Sequence, residues 1–112
     1  MIDDWIGRQS DAVRAALDVA LEFLEQRARD EWRRPAFDLL SGKMAGIGEI
    51  RLKVDKEYRI LGFFGPNQSE FTMLIGASKK GRSYDPRDAL GTALARRKEI
   101  LLNGRQSRVC DP

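Results

Sequence analysis

The sequence predicts an α+β domain in which two helices precede a three-stranded antiparallel sheet, with room for a fourth strand, and a further helix closes the chain. Three observations carry that expectation. Apolar residues recur at helical spacing over residues 10–29, two-residue alternation sets in after Gly48, and an Asp85-Pro86 pair followed by Leu90, Ala93, Leu94 and Leu101 restores the helical spacing near the end. Helical and extended stretches segregated along a chain in this way build an α+β layer architecture.

The elements follow in order. Residues 2–6 suit a short helical turn, anchored by Trp5 and ended by Gly7. Ser10 is placed as an N-cap with Asp11 in the first turn, and Val13, Ala16, Leu17, Ala20, Leu21, Leu24 and Ala28 fall on one helical face. Arg27 and Arg29 then suit the negative end of that helix's macrodipole. Pro35 at a starting position and Gly42 as a stop predict a second, short helix over residues 35–40, with Phe37 and Leu40 toward the core.

Gly42, Gly46 and Gly48 make a flexible connector into the sheet. Residues 49–54 alternate, with Ile50, Leu52 and Val54 on one face and Glu49, Arg51 and Lys53 on the other. Asp55-Lys56-Glu57 reads as a hairpin loop before a strand over 58–64, and Gly65-Pro66-Asn67 turns the chain into a strand over 71–78. Asp85 then caps a helix with Pro86 at its first position, stopping near Asn103-Gly104. Residues 1–104 form one domain on this reading, and 105–112 a flexible tail.

Composition narrows the function classes. A chain of 112 residues fits one domain and buries roughly two-thirds of the surface its unfolded form exposes. With 42% hydrophobic and 33% charged residues, wholesale disorder is excluded. Residues 1–50 hold seven Lys/Arg against ten Asp/Glu, whereas residues 51–112 hold thirteen against seven, so the basic character lies in the second half. That asymmetry points toward nucleic acid, beside the plainer reading of a solvated basic surface.

Cys110 is the only cysteine, which leaves neither a disulfide framework nor a zinc cluster and is consistent with a reducing compartment. Asp3 and Asp4 stand where a secretory signal needs positive charge, and no stretch approaches the ~18 apolar residues of a membrane span. A cytoplasmic protein without a membrane partner is expected. There is no histidine, so the usual general base and the usual transition-metal ligand are missing. Neither a metal nor a cofactor is expected, and any catalysis must run on Lys, Arg, Tyr, Asp or Glu.

Strand register decides whether the cations cooperate. A three-residue loop at 55–57 sets Val54 opposite Tyr58, Lys53 opposite Arg59 and Arg51 opposite Leu61, which gathers Arg51, Lys53 and Arg59 on one side of the sheet. A two-residue loop would send Arg59 to the other side. Lys79, Lys80 and Arg82 add charge at one rim. Like charges so gathered repel unless an anion satisfies them, which makes a phosphate backbone the natural partner.

At these residues the chain resembles the RelE superfamily of bacterial toxins, in its HigB-like and phage-derived branch. Members carry a glycine-containing lead-in to Glu-Leu-Arg, a Tyr-Arg pair on the next strand, a strand ending in Lys-Lys, and a helix started by Pro. The corresponding stretches here are Leu40-Ser41-Gly42, Gly48-Glu49-Ile50-Arg51, Tyr58-Arg59-Ile60-Leu61, Ser78-Lys79-Lys80 and Pro86-Arg87-Asp88-Ala89-Leu90. The resemblance spans residues 5–102.

The resemblance implies a RelE-like fold and the toxin of a type II toxin–antitoxin system: a metal-independent endoribonuclease that cuts messenger RNA on the translating ribosome. A cognate antitoxin of helix-turn-helix type would neutralise it. Cutting RNA internally requires a deprotonated 2′-hydroxyl, a stabilised pentavalent phosphate and a protonated leaving oxygen. Arg51 and Arg59 would clamp the phosphate, where one preorganised donor is worth about 3 to 4 kcal/mol in the transition state. Lys79 or Lys80 would move the proton, since neighbouring cations depress a lysine pKa. Tyr84 would stack on a base or donate a proton. Lys53, Arg82 and Arg87 complete the set as nucleic-acid contacts.

Structural roles stand beside each of these. Arg51 can pair with Glu49 or with an acid of the first long helix, Lys79-Lys80 can be a solvated strand end, and Tyr84 can be a packing residue. The chain also departs from the family pattern. The stretch from Lys79 to Pro86 is a residue longer and more polar, residues 1–7 offer too little for the first strand of many members, and no aromatic residue follows Tyr84. The superfamily fold also hosts inhibitors of DNA gyrase that perform no RNA chemistry, and a phage-derived protein with a decayed catalytic set would only bind nucleic acid.

Overall fold

Five strands follow one another as antiparallel neighbours, in the order β1-β2-β3-β4-β5, in the computed structural model, which describes residues 2–67 and 70–102. The expected α+β class holds, with helices before and after an antiparallel sheet. The helices before it are α1 (Ile2–Gly7) and α2 (Asp11–Glu25). Ser10 caps α2 as expected, its hydroxyl accepting from the Val13 amide at 3.2 Å. The helix ends four residues earlier than its apolar spacing suggests, and residues Arg29–Glu31 form a separate 3₁₀ turn. Arg27 lies just past the end of α2, donating to the Phe23 carbonyl at 3.0 Å. The expected helix stop at 103–104 and the tail at 105–112 lie outside the described residues.

The short helix expected over 35–40 is instead a strand, β1 (Phe37–Leu39), paired with β2 (Gly48–Lys53) through Phe37↔Ile50 and Leu39↔Gly48. Flanking bonds extend the pairing, from the Arg51 amide to the Ala36 carbonyl and from the Leu40 amide to the Ile47 carbonyl, both at 2.9 Å. Strand pairing with β2 satisfies the backbone of this segment and buries Phe37 in the aromatic box. Phe37 joins Trp32, Phe64 and Phe71 in a box of tilted and edge-on rings with centroids 5.2 to 6.0 Å apart.

The hairpin between β2 and β3 (Glu57–Phe64) keeps the three-residue loop length but moves it one position, to Val54-Asp55-Lys56. Lys53 therefore faces Glu57, and Arg51 faces Arg59 rather than Leu61. The shift sets opposite charges across the strand ends and lets the Tyr58 hydroxyl donate to Asp55 at 2.9 Å. It also turns Val54 from an expected core-facing residue into an exposed loop residue. Because the shift preserves the pleat, Arg51, Lys53 and Arg59 still share a face.

β4 (Phe71–Lys80) ends at the lysine pair, and the chain then returns through Gly81-Arg82 into β5 (Ser83–Asp85). Gly81 supplies the positive φ, 60°, that the turn requires. Asp85 is thus a strand residue paired with Ser78 rather than a helix cap, and α3 (Ala89–Leu102) starts three residues after Pro86. Pairing β4 with β5 satisfies backbone groups that the expected cap would have left at the edge of the sheet.

Two cores result. α1 and α2 cover one face, where Val13, Leu17 and Leu24 pack with Phe37, Ile50, Leu52, Tyr58 and Ile60. At Gly76 a Cβ would strike the Trp5 ring, so the close seat of α1 on β4 requires glycine there. On the other face α3 packs against β3 and β4, with Ala89 and Ala93 among Leu61, Phe63, Ile75 and Ala77. No helix among the described residues is long and apolar enough to cross a membrane.

Candidate functional site

The face that carries α3 changes character along the strands. Toward one end of β3, Leu61 and Phe63 lie in the α3 core, whereas Arg59 and Glu57, two and four positions before Leu61 on the same pleat, carry charge. Across the sheet that charged half takes Asp38 from β1, Glu49, Arg51 and Lys53 from β2, Glu57 and Arg59 from β3, Lys79 from β4 and Tyr84 from β5. All five strands contribute.

Arg59 lies at the centre and is 3% exposed, which corrects the expectation of a cation on an open sheet face. Its Nη2 donates to Glu57 Oε1 at 2.5 Å and its Nη1 to the Tyr58 carbonyl at 3.0 Å. Its Nε stands 3.5 Å from Glu49 Oε1 but makes no hydrogen bond, and is a buried donor without a partner. Glu49 is equally buried, and its other oxygen accepts from the Tyr84 hydroxyl at 2.7 Å. The desolvated cation requires a nearby anion, and the two glutamates supply it.

Two consequences follow for protonation. Burial, then the bond to Glu49, pushes the Tyr84 hydroxyl well above its usual value of 10.0, so it stays protonated at any physiological pH. It can donate but not act as a base. The Glu57 carboxyl is held below its usual value of 4.5, first by its bond to Arg59 and then by the charges of Arg59, Lys53 and Arg51. It stays ionised at neutral pH.

Arg51 lies directly opposite Arg59, with Asp38 Oδ2 3.9 Å from its Nη1, and Asp38 is in turn bound by Arg34 at 2.9 Å. The acid that pairs with Arg51 therefore comes from β1, not from Glu49 or the first long helix. Lys79 rests its ammonium 4.9 Å from the centre of the Tyr84 ring. Lys80, one residue on, points to the opposite face by strand alternation and is exposed. The adjacent lysines are therefore not interchangeable. Arg82 occupies the turn between β4 and β5, and Arg87 lies between β5 and α3, both exposed.

A cavity of about 400 Å³ opens on the charged half, with Arg34, Arg51, Lys53 and Arg59 in its wall and Glu57 as the single carboxylate. The structure thus brings together Arg51, Lys53 and Arg59 at the cavity and Lys79 with Tyr84 beside it, and leaves Lys80, Arg82 and Arg87 apart. Residues that sequence reasoning missed are Arg34 and Asp38. Glu49, read from the sequence as a face-mate and candidate partner of Arg51, is engaged instead by Arg59 and Tyr84, and Glu57, read as part of the hairpin loop, opens β3 and binds Arg59. Arg34 and Asp38 were hidden by the expectation of a helix at 35–40. Among the described residues no group of three His, Cys, Asp or Glu side chains is placed to hold a metal ion.

No curated protein and no solved structure matches the chain. A family model described as phage derived protein Gp49-like (DUF891) matches residues 4–98, from α1 through most of α3 and across every strand. The chain belongs to the Gp49-like family of phage-derived proteins.

Proposed function

We propose that the protein is the toxin of a type II toxin–antitoxin pair, an endoribonuclease that cuts messenger RNA on the ribosome without a metal ion and is restrained by a cognate antitoxin. Membership of a phage-derived family is compatible with a toxin-like role. The single observation that carries the reading is the cavity on the charged half of the sheet, whose wall presents four cations and one carboxylate while Asp38 and Glu49 pair with three of those cations from outside it. The wall is thus predominantly cationic, and a phosphodiester is an anion it can hold.

On this reading Arg51 and Lys53 contact the RNA phosphate from the rim, and Arg59 supports it from beneath. Charge building on the phosphate oxygens in the transition state meets donors already in place, which is the main source of rate in such a site. Tyr84, held protonated by Glu49, offers a hydrogen bond or a proton to the leaving oxygen, and Lys79 beside it is the proton-moving lysine. The 2′-hydroxyl passes its proton to the Lys79 amine as it attacks the adjacent phosphorus, the bond to the 5′-oxygen breaks as that oxygen takes a proton from Tyr84, and a 2′,3′-cyclic phosphate remains.

One observation favours a second reading. The guanidinium of Arg59 and the hydroxyl of Tyr84 are both engaged by carboxylates, as they would be in a protein that binds nucleic acid without cutting it. Incubating the protein with translating ribosomes and mapping new RNA ends separates the two. New ends bearing 2′,3′-cyclic phosphate are expected. Intact messages that co-sediment with the protein would favour binding alone, and intact messages with trapped gyrase–DNA complexes would remove RNA from the account.

A further inference from the structure

The side-on edge of the Arg59 guanidinium, formed by Nε and Nη2, is a fork that matches two oxygens of one anion. In the structure its two nitrogens face different carboxylates. Nη2 holds a single oxygen of the half-exposed Glu57, and Nε, buried and without a hydrogen bond, stands 3.5 Å from the buried Glu49. Glu57 does not belong to a buried core. Its side chain is 47% exposed, it begins β3, and its strand neighbours on either side are Lys53 and Lys79. A half-exposed carboxylate therefore sits where a ligand of higher charge would be held more strongly by the surrounding cations. Arg59, Lys53 and Arg51 all draw on its charge, and it is the only carboxylate in the wall of the 400 Å³ cavity.

We propose that this cavity is a phosphate site occupied in the resting protein by its own Glu57 carboxylate, which an incoming phosphate displaces from Arg59. The incoming group takes the place of Glu57 on Nη2 and meets Arg51 and Lys53 in the cavity wall, while Nε stays beside the buried Glu49. Glu57 swings into water at little cost, because it is half-exposed and lies at a strand end. Nη1 keeps its bond to the Tyr58 carbonyl, so the guanidinium need not turn. The proposal takes the carrier of the phosphate to be RNA from the function proposed above, but the site itself is defined by phosphate alone.

The test uses the full chain with inorganic phosphate and, separately, with a short single-stranded RNA. Wild type is compared with Glu57→Gln, Glu57→Ala and a control, Glu22→Gln, which removes the same charge from an exposed position on α2. Phosphate binding is followed through the Nε–H resonance of Arg59 by NMR, and RNA binding by fluorescence anisotropy. Removing a competing charge-assisted bond should tighten phosphate about tenfold in both Glu57 variants, shift the Arg59 resonance on binding, and leave Glu22→Gln within about twofold of wild type.

The same gain with RNA supports the site with RNA as carrier. A gain with inorganic phosphate and none with RNA also supports the site, identifies a small phosphorylated ligand, and removes the ribonuclease reading. Glu57 variants that bind phosphate no tighter than Glu22→Gln, an Arg59 resonance that does not move, or a gain confined to RNA would each overturn the proposal.

Discussion

β2 and β3 present two faces made of alternate residues of the same strands, and the faces are held by different forces. On one, Ile50, Leu52, Tyr58 and Ile60 pack beneath α1 and α2 with Phe37 and the aromatic box, where stability scales with apolar area and no single contact is indispensable. On the other, Glu49, Arg51, Glu57 and Arg59 are held by charge, and one buried guanidinium depends on two carboxylates. Hydrophobic packing would cover that half of the sheet at lower cost, since a buried ion pair seldom repays its desolvation. On the function proposed above, the ionic cluster is the site and the packed face is its scaffold.

Substitutions can break this contrast. Phe37→Ala should cost the most, about 3 to 5 kcal/mol, because it empties a fully buried position in the aromatic box. Denaturant unfolding measures it, and the loss should come with no change in RNA contacts per folded molecule. Arg59→Ala should cost about 3 kcal/mol or more, since it leaves the buried Glu49 without its cation. The double change Arg59→Met with Glu49→Gln should recover much of that loss while abolishing activity. If Arg59→Ala were as stable as wild type, Arg59 would be a surface residue and the cluster would not be buried.

Tyr84→Phe is expected to cost about 1 to 2 kcal/mol through the lost bond to Glu49. A smaller effect appears with pH. The folded-state pKa of Tyr84 lies above its usual 10.0, so its contribution to stability is complete below about pH 10 and is lost as the pH rises past that value. Alkaline melting curves of wild type should fall more steeply than those of Tyr84→Phe, and parallel curves would place the hydroxyl in water.

Much of this contrast was legible in the sequence. Period-two alternation after Gly48 assigned Arg51, Lys53 and Arg59 to one face correctly even though the loop sits one residue away, because shifting a three-residue loop by one position preserves pleat parity. Ser10 was legible because capping is local chemistry. β1 and β5 were not, because each is three residues long and exists only through pairing with a longer neighbour. The depth of Arg59 was also out of reach. Alternation says which face a cation takes, not whether glutamates and a tyrosine from other strands will close over it.

The adjacent lysines at the end of β4 test most directly whether the charged face is the functional one. They are adjacent in sequence, share charge and strand, and differ in the face they take. RNA cleavage on translating ribosomes, measured at saturating protein for Lys79→Ala and Lys80→Ala, should fall by about 10²-fold or more for Lys79, as expected when a general acid or base is removed. It should stay within a few-fold of wild type for Lys80, whose loss weakens only binding and its salt dependence. Equal losses at the two positions, or a loss confined to Lys80, would contradict the assignment of function to the face that carries Arg59 and Tyr84.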